Sequence, residues 1–453
     1  MEKVYEQLFR NVEKHRERIY AARDFLWKHP ETGYKEWKSS EYLAKQFEEL
    51  GYTLTYAGDI PGFYTDLDTG RPGPTLLLMG ELDALRVESH PDADPVTGAV
   101  HACGHCVQVT GLLGAAAALK EPGALDGMCG KIRLMAVPAE EGIEIGFREE
   151  LRRKGTIRYL SGKQEFISRG YLDGVDLDML IHSSSFTPGT AVVHKGGNGF
   201  LIKRATFLGR SAHAAGSPQK GINALYAANL ALGAVNALRE TFPEKDHIRV
   251  HPILTKGGTV VNAIPETVVM ENYIRGASVE AIRRENEKVN RAVAGAALAM
   301  GANVELTDRP GDLPIVMSPS VRQACFEAAE LVLGEGKVSM MENWAADSSD
   351  LGDVTALMPT AYLYLGGATG ICHGNNYRVD DAETLCVGSA KVLVAYAQLV
   401  LGGGAALAKQ IVADYRPIFK NKEEYCAAMD SLILDCKAVE YREDGTASVR
   451  IKN

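Results

Sequence analysis

Apolar residues recur at helical spacing from residue 4 to 28, where Val4, Leu8, Val12, Ile19, Phe25 and Leu26 predict one amphipathic helix. A second helix follows HPETGYKEW and stops at Gly51. The period then shortens. Residues 53–56, 63–67 and the apolar run TLLLMGEL at 75–82 predict strands, with GRPGP as the turn before the last. Behind HACGHC, residues 101–106, the stretch VQVTGLLGAAAALK is apolar on every side and predicts a buried helix. KIRLMAVPAEEG at 131–142 and DLDMLIH at 176–182 predict two more buried strands, one ending in paired carboxylates and the other in a histidine.

Near residue 190 the pattern changes to longer alternating strands and two long helices, at 220–239 and 278–300, in the order β-α-β-β-α-β. From about 312 the first style returns, with a helix at 319–334, the strand TAYLYLG at 360–366, the loop ATGICHGNNYRVDD and a helix at 382–401. The expected fold class is α/β, with a mixed-sheet domain formed by 1–190 and 312–453 and interrupted by a smaller α+β domain at 191–311. Helix-like stretches around QIVADY and EEYCAAMDSLIL and a final strand near TASVRIK fill the last fifty residues.

The chain has 453 residues, 46% hydrophobic and 24% charged, which suits a soluble protein of two domains. A net charge of -9 argues against general nucleic-acid binding, which needs a basic face. The charged N-terminal helix lacks the apolar core of a secretion signal, and no apolar run of about 18 residues stands out, so a cytoplasmic protein without a membrane span is expected. The eight cysteines show no disulfide spacing.

Cys103, His105, Glu141, His182 and His373 are five ligand-type side chains, each on a turn or at a strand end. In an α/β layer such ends gather catalytic groups. About that many protein ligands hold one or two transition ions while leaving places for water and substrate. Glu140, beside Glu141, can then serve as the base that takes a proton from water. Each residue has a plainer reading. C-x-x-C at Cys103 and Cys106 could be a redox pair, two glutamates could be a solvated strand end, and His182 could be a hydrogen-bonded core histidine. Their joint occurrence favours the metal.

GELDAL, HACGHC with its apolar helix, PAEEG, the strand ending in His182, SAHAAGSPQKGINAL, GGTVVNAIPETV and the His373 loop together resemble the aminoacylase-like metallopeptidases of peptidase family M20. The likeness runs in order from about 15 to 400 and is nearest the branch of auxin-conjugate and aminobenzoyl-glutamate hydrolases. It implies a zinc-exopeptidase type of catalytic domain with an inserted lid and dimerisation domain. Cys103, His105, Glu141, His182 and His373 would hold one or two Mn or Zn ions. Glu140 would be the general base, and Asp83 would support the site from behind the ligands. His213 and Asn262, on the inserted domain, would help polarise the substrate carbonyl, the histidine reaching across a homodimer.

Four features depart from the family. Cys106 stands where relatives carry Asp or Asn, Gln108 where many carry His, and Glu81 where Asp is usual. Residues 143–162 look like an insertion, whose Arg148, Arg152, Arg153, Lys154 and Arg158 read as a solvated helix face or as selectors of an anionic substrate. Cys106 could add a soft ligand. The resulting expectation is a metal-dependent amidohydrolase acting on a small N-acyl amino acid, aryl-amide or dipeptide-like substrate. The alternatives are an aromatic-amine aminohydrolase using the same site and a silent binding protein of the same fold.

Overall fold

A computed structural model describes residues 2–451, which divide into two compact units. Of the described residues the first comprises 2–196, 316–344 and 353–422. Its centre is an eight-stranded mixed sheet in the order Thr55–Tyr56, Phe63–Asp68, Lys131–Val137, Thr75–Glu81, Leu177–Ser184, Thr360–Gly366, Ala191–Val193 and Val338–Met340. Lys131–Val137, Thr75–Glu81, Leu177–Ser184 and Thr360–Gly366 run parallel as neighbours, so their carboxyl ends open on one edge. Being buried on both faces, they read as continuous apolar runs rather than alternating ones.

The helix His105–Lys120 is buried along all but its last residue, as its all-round apolarity requires. It packs between the sheet and the helices Glu2–Lys14, Arg16–Lys28 and Ser389–Leu401. Close approach is permitted by Gly114, where a Cβ would come within 2.6 Å of Ile19 Cδ1. The first predicted helix is in fact two, parted at His15, whose φ and ψ of -103° and 12° leave the helical region. His15 Nε2 meets Glu121 at 3.0 Å. The stretch Glu383–Leu401 is long and apolar enough to cross a membrane by composition, contrary to the sequence reading, but 72% of it is buried inside the protein.

The second unit comprises 197–315, 345–352 and 423–451 of the described residues. Gly199–Leu208, Thr267–Gly276 and Asn303–Pro310 form its antiparallel centre, with Arg249–Val250 and Ile253–Lys256 along one edge. Helices Ala224–Leu238, capped by Asn223, and Val279–Ala299, capped by Ser278, bury Ala228, Ala231, Val289 and Val293 in a core with Phe207 and Met270. The sequence reading assigns 312–453 to the first domain and misses a strand. Leu434–Tyr441 pairs with Asn303–Pro310 and extends the second unit's sheet.

Candidate metal centre

Asp83, Glu140, Glu141 and His182 lie at the open sheet edge of the first unit, as their strand-end positions require. The turn before the buried helix brings in Cys103 and His105, and the loop after Thr360–Gly366 brings in His373. Gly104 makes that turn possible. Its φ is +83°, and a Cβ there would sit 2.1 Å from Ser183 Oγ and 2.3 Å from Tyr377 Oη. Ser183 Oγ donates to the Cys103 carbonyl at 3.1 Å, tying the turn to the His182 strand.

Two imidazoles are oriented alike. His105 Nδ1 lies 3.0 Å from Asp83 Oδ1, and His182 Nδ1 lies 2.8 Å from the Ser183 carbonyl. Each Nδ1–H is thereby engaged, which turns each Nε2 toward the cluster. The second oxygen of Asp83 accepts from the Glu141 backbone N–H at 2.9 Å, so one buried carboxylate positions a histidine and the glutamate turn together. His182 Nε2 is 3.3 Å from Cys103 Sγ, and His105 Nε2 is 3.8 Å from Glu140 Oε2. His373 Nε2 is 3.3 Å from Glu141 Oε1. All five ligand candidates and the candidate base thus occupy the first unit.

The glutamate turn is held by force. Ala139 has φ +57°, a strained conformation for a residue with a Cβ. Glu36, fully buried, accepts from the Ala139 N–H at 2.8 Å. Arg148 is also buried, not solvated as the sequence suggests, and donates to the carbonyls of Ala139, Leu160 and Glu141. The inserted segment therefore forms the backing of the turn that carries Glu140, through the helix Ile145–Arg153.

Glu81 is a further member that the sequence presents only as a departure. Its Oε2 lies 3.1 Å from His105 Nε2 and accepts from Gln108 Nε2 at 2.7 Å, while Oε1 pairs with the buried Lys163. Burial alone would raise the Glu81 carboxyl, but Lys163, His105 and His182 hold it down at about 2. Two of the family departures, Glu81 and Gln108, are thus partners of each other. Cys106 faces another way. Burial raises its thiol, and its sulfur neighbour is Cys386 in the core.

The chemistry of the set suits a cation. Carboxylates and thiols crowd around imidazoles, and both His105 Nε2 and Glu141 Oε1 are buried without a well-aligned hydrogen bond. Cys372 and Glu141 beside it hold the His373 imidazole up at about 10. Among the described residues, three overlapping groups have ligand atoms close enough to share an ion: Cys103, His105 and His182; Glu81, His105 and Glu140; and Cys103, Cys372 and His373.

His213 and Asn262 belong to the second unit and are exposed. Their segments are joined, the Ala214 N–H donating to the Asn262 carbonyl at 2.9 Å and His213 bridging Ala263. His213 Nδ1 accepts from the Gly216 N–H at 2.9 Å, leaving Nε2 outward.

Comparison with known proteins agrees with this architecture. Indole-3-acetyl-aspartic acid hydrolase of Enterobacter agglomerans is 28% identical over 62% of this chain and 71% of its own length. One of the two chains of the p-aminobenzoyl-glutamate hydrolase of Escherichia coli is 30% identical over 67% of this chain and 60% of its own length, so the present chain spans less than two thirds of that relative. N-acetyl-L-cysteine deacetylase of Bacillus subtilis is 28% identical, over 74% of this chain and 78% of its own. In fold, the chain is similar to a dinuclear metal-binding M20 peptidase of Bacillus subtilis, with TM-score 0.65 and 20% identity over 86% of this chain and 99% of that one. An aminobenzoyl-glutamate utilization protein of Klebsiella pneumoniae gives TM-score 0.65 at 23% identity, covering 87% of this chain and 98% of its own. Residues 77–399 match the profile of Peptidase family M20/M25/M40, and the chain belongs to that family as a hydrolase acting on amide bonds.

Proposed function

We propose that this protein is a cytoplasmic, metal-dependent amidohydrolase that cleaves the C–N bond of a small N-acyl amino acid or aryl-amide. The observation that carries the reading is the pair His105 and His182, each with Nδ1 engaged and Nε2 turned toward Cys103 and the glutamates. Cys103, His105, Glu141, His182 and His373 would hold the ion or ions. Zinc or manganese suits such mixed ligands better than magnesium or calcium. When bound, the metal supplies positive charge that polarises the carbonyl and brings the pKa of water toward neutrality.

The remaining steps fall to the chain's own side chains. Glu140, partly open to solvent, takes a proton from the attacking water and delivers it to the leaving amine as the C–N bond breaks. Asp83 and Arg148 hold the ligands and the base in register. His213 and Asn262 are proposed to steady the oxyanion. Auxin-conjugate, aminobenzoyl-glutamate and acetylcysteine substrates of the relatives all present an acyl group on an amino acid, and this class is the one proposed here. Eight free cysteines fit a reducing compartment.

The test is Glu140→Gln, assayed on a panel of N-acyl amino acids and aryl-glutamate amides with metal content measured in parallel. Turnover should fall by about 10²–10⁴-fold with the metal retained. Unchanged turnover would remove Glu140 from its role, and protein that takes up no metal under any loading would overturn the ligand set.

A further inference from the structure

The residue before His373 is a cysteine that nothing in the proposed mechanism uses. Cys372 is exposed, yet its sulfur lies 3.8 Å from the buried Cys103 Sγ. The position is imposed by the backbone. The His373 N–H donates to the Ala102 carbonyl at 2.9 Å, which sets Cys372 beside Cys103 where the two loops meet. The loop is closed on itself as well, the Ile371 N–H donating to Asn376 Oδ1 at 3.0 Å and the Gly374 N–H to the Ile371 carbonyl at 2.7 Å. His373 itself is held at φ +65°. A strained, doubly tied loop that presents sulfur and imidazole from adjacent residues is built for more than connection.

The sulfur spacing has a chemical meaning. In a tetrahedral site with metal–sulfur bonds of about 2.3 Å, the sulfur-to-sulfur edge is about 3.8 Å. That edge matches the distance between Cys103 and Cys372. The ligand atoms of Cys103, Cys372 and His373 lie close enough together to share one ion. A disulfide, with sulfurs about 2.05 Å apart, would need the loop to move inward.

We propose that Cys372 is a metal ligand, so that the centre carries two thiolates and selects zinc over manganese. The inference rests on the metal-dependent reading above. Thiolates are soft ligands that favour zinc and disfavour the harder manganese ion. Cys103 and Cys372 then supply the sulfur edge and His373 an imidazole, while His105, His182 and Glu141 complete the centre with or without a second ion.

The experiment uses the full chain, stripped and reloaded with cobalt(II) under reductant, and reads the near-ultraviolet sulfur-to-cobalt charge-transfer band. Two thiolates predict that Cys372→Ser lowers the band by about half. Zinc affinity, measured by competition with a chelating indicator, should drop on the order of 10-fold to 100-fold in the same variant. A band of unchanged intensity in Cys372→Ser overturns the inference while leaving the metal reading intact. Loaded wild-type protein without any such band overturns the inference together with the assignment of Cys103, whereas a chain that takes up no cobalt overturns the metal-dependent reading itself. A second measurement needs no variant: zinc should protect the exposed Cys372 from alkylation by iodoacetamide, and equal labelling with and without zinc also overturns the inference.

Discussion

Asp83 carries more of the site than its distance from the chemistry suggests. One oxygen fixes the His105 ring and the other fixes the Glu141 backbone, so a single substitution loosens two of the proposed ligands at once. Asp83→Asn keeps the shape but offers an N–H where one of those oxygens must accept. Metal affinity is expected to fall about 10–100-fold, the usual cost of losing the group behind a ligating histidine. Titration of stripped protein with zinc measures it, and wild-type affinity in the variant would show that the ring is held by something else. Gly104 is the second sensitive position, because any side chain collides with Ser183 and Tyr377. Much of this level is readable in the chain, since HACGH, PAEEG and the strand-end histidine name the side chains. Cys372 and Glu81 are not so readable. Their partners, Cys103 and Lys163, stand 269 and 82 residues away in sequence, and nothing local marks such pairs.

At the scale of elements, the inserted segment 143–162 changes meaning once it is folded. Five basic residues within one inserted segment suggest a solvated face, and Arg153 and Lys154 are indeed exposed. Arg148 points inward instead, donating to three buried carbonyls of the glutamate turn and its surroundings, groups that need a donor once they leave solvent. Arg148→Leu should cost about 1–3 kcal/mol of stability for the acceptors left unpaired. It should also lower kcat, since the strained Ala139 turn loses its clamp. Arg153→Leu should stay within about 0.5 kcal/mol in a denaturant titration of both variants, and equal effects would place Arg148 among the solvated residues after all. The strand Leu177–Ser184 contains a charge the pattern hides. Asp178 is fully buried, neither of its oxygens has a well-aligned hydrogen bond among the described residues, and burial raises its carboxyl well above the usual range. For an acid whose folded pKa is raised, stability is highest below the unfolded pKa and declines as pH climbs toward the folded one. Asp178→Asn removes that decline, so its melting temperature should gain on wild type between about pH 5 and about pH 8. A constant offset across that range would mean the carboxyl titrates normally.

At the scale of the molecule, periodicity captures the alternation of strands and helices in both units but not where the chain ends belong. Leu434–Tyr441 alternates weakly, with a cysteine and an alanine in place of large apolar residues, and its long-range pairing with Asn303–Pro310 is what makes it a strand. The second unit also leaves apolar side chains uncovered. Tyr226 and Leu230 stand one turn apart on the helix Ala224–Leu238, and Ile253 is exposed on an edge strand.

If two chains associate through that face, the proposed role of His213 across the dimer can be tested by mixing inactive variants. His213→Ala and Glu140→Gln should each be nearly inactive alone, for different reasons: one lacks the oxyanion donor and the other lacks the base. In a closed two-fold dimer that draws His213 from the opposite chain, a mixed dimer has one site lacking both groups and one site lacking neither. Random exchange of equal amounts should therefore restore about a quarter of wild-type activity, half the dimers being mixed and each having one intact site. If each site uses its own His213, every site in the mixture lacks one group and no activity returns. Leu230→Asp provides the control, because it should give a single-chain mass in light scattering and abolish the restored activity while metal content stays unchanged. Wild-type protein that is already a single chain at the assay concentration would rule out both the dimer and the shared histidine.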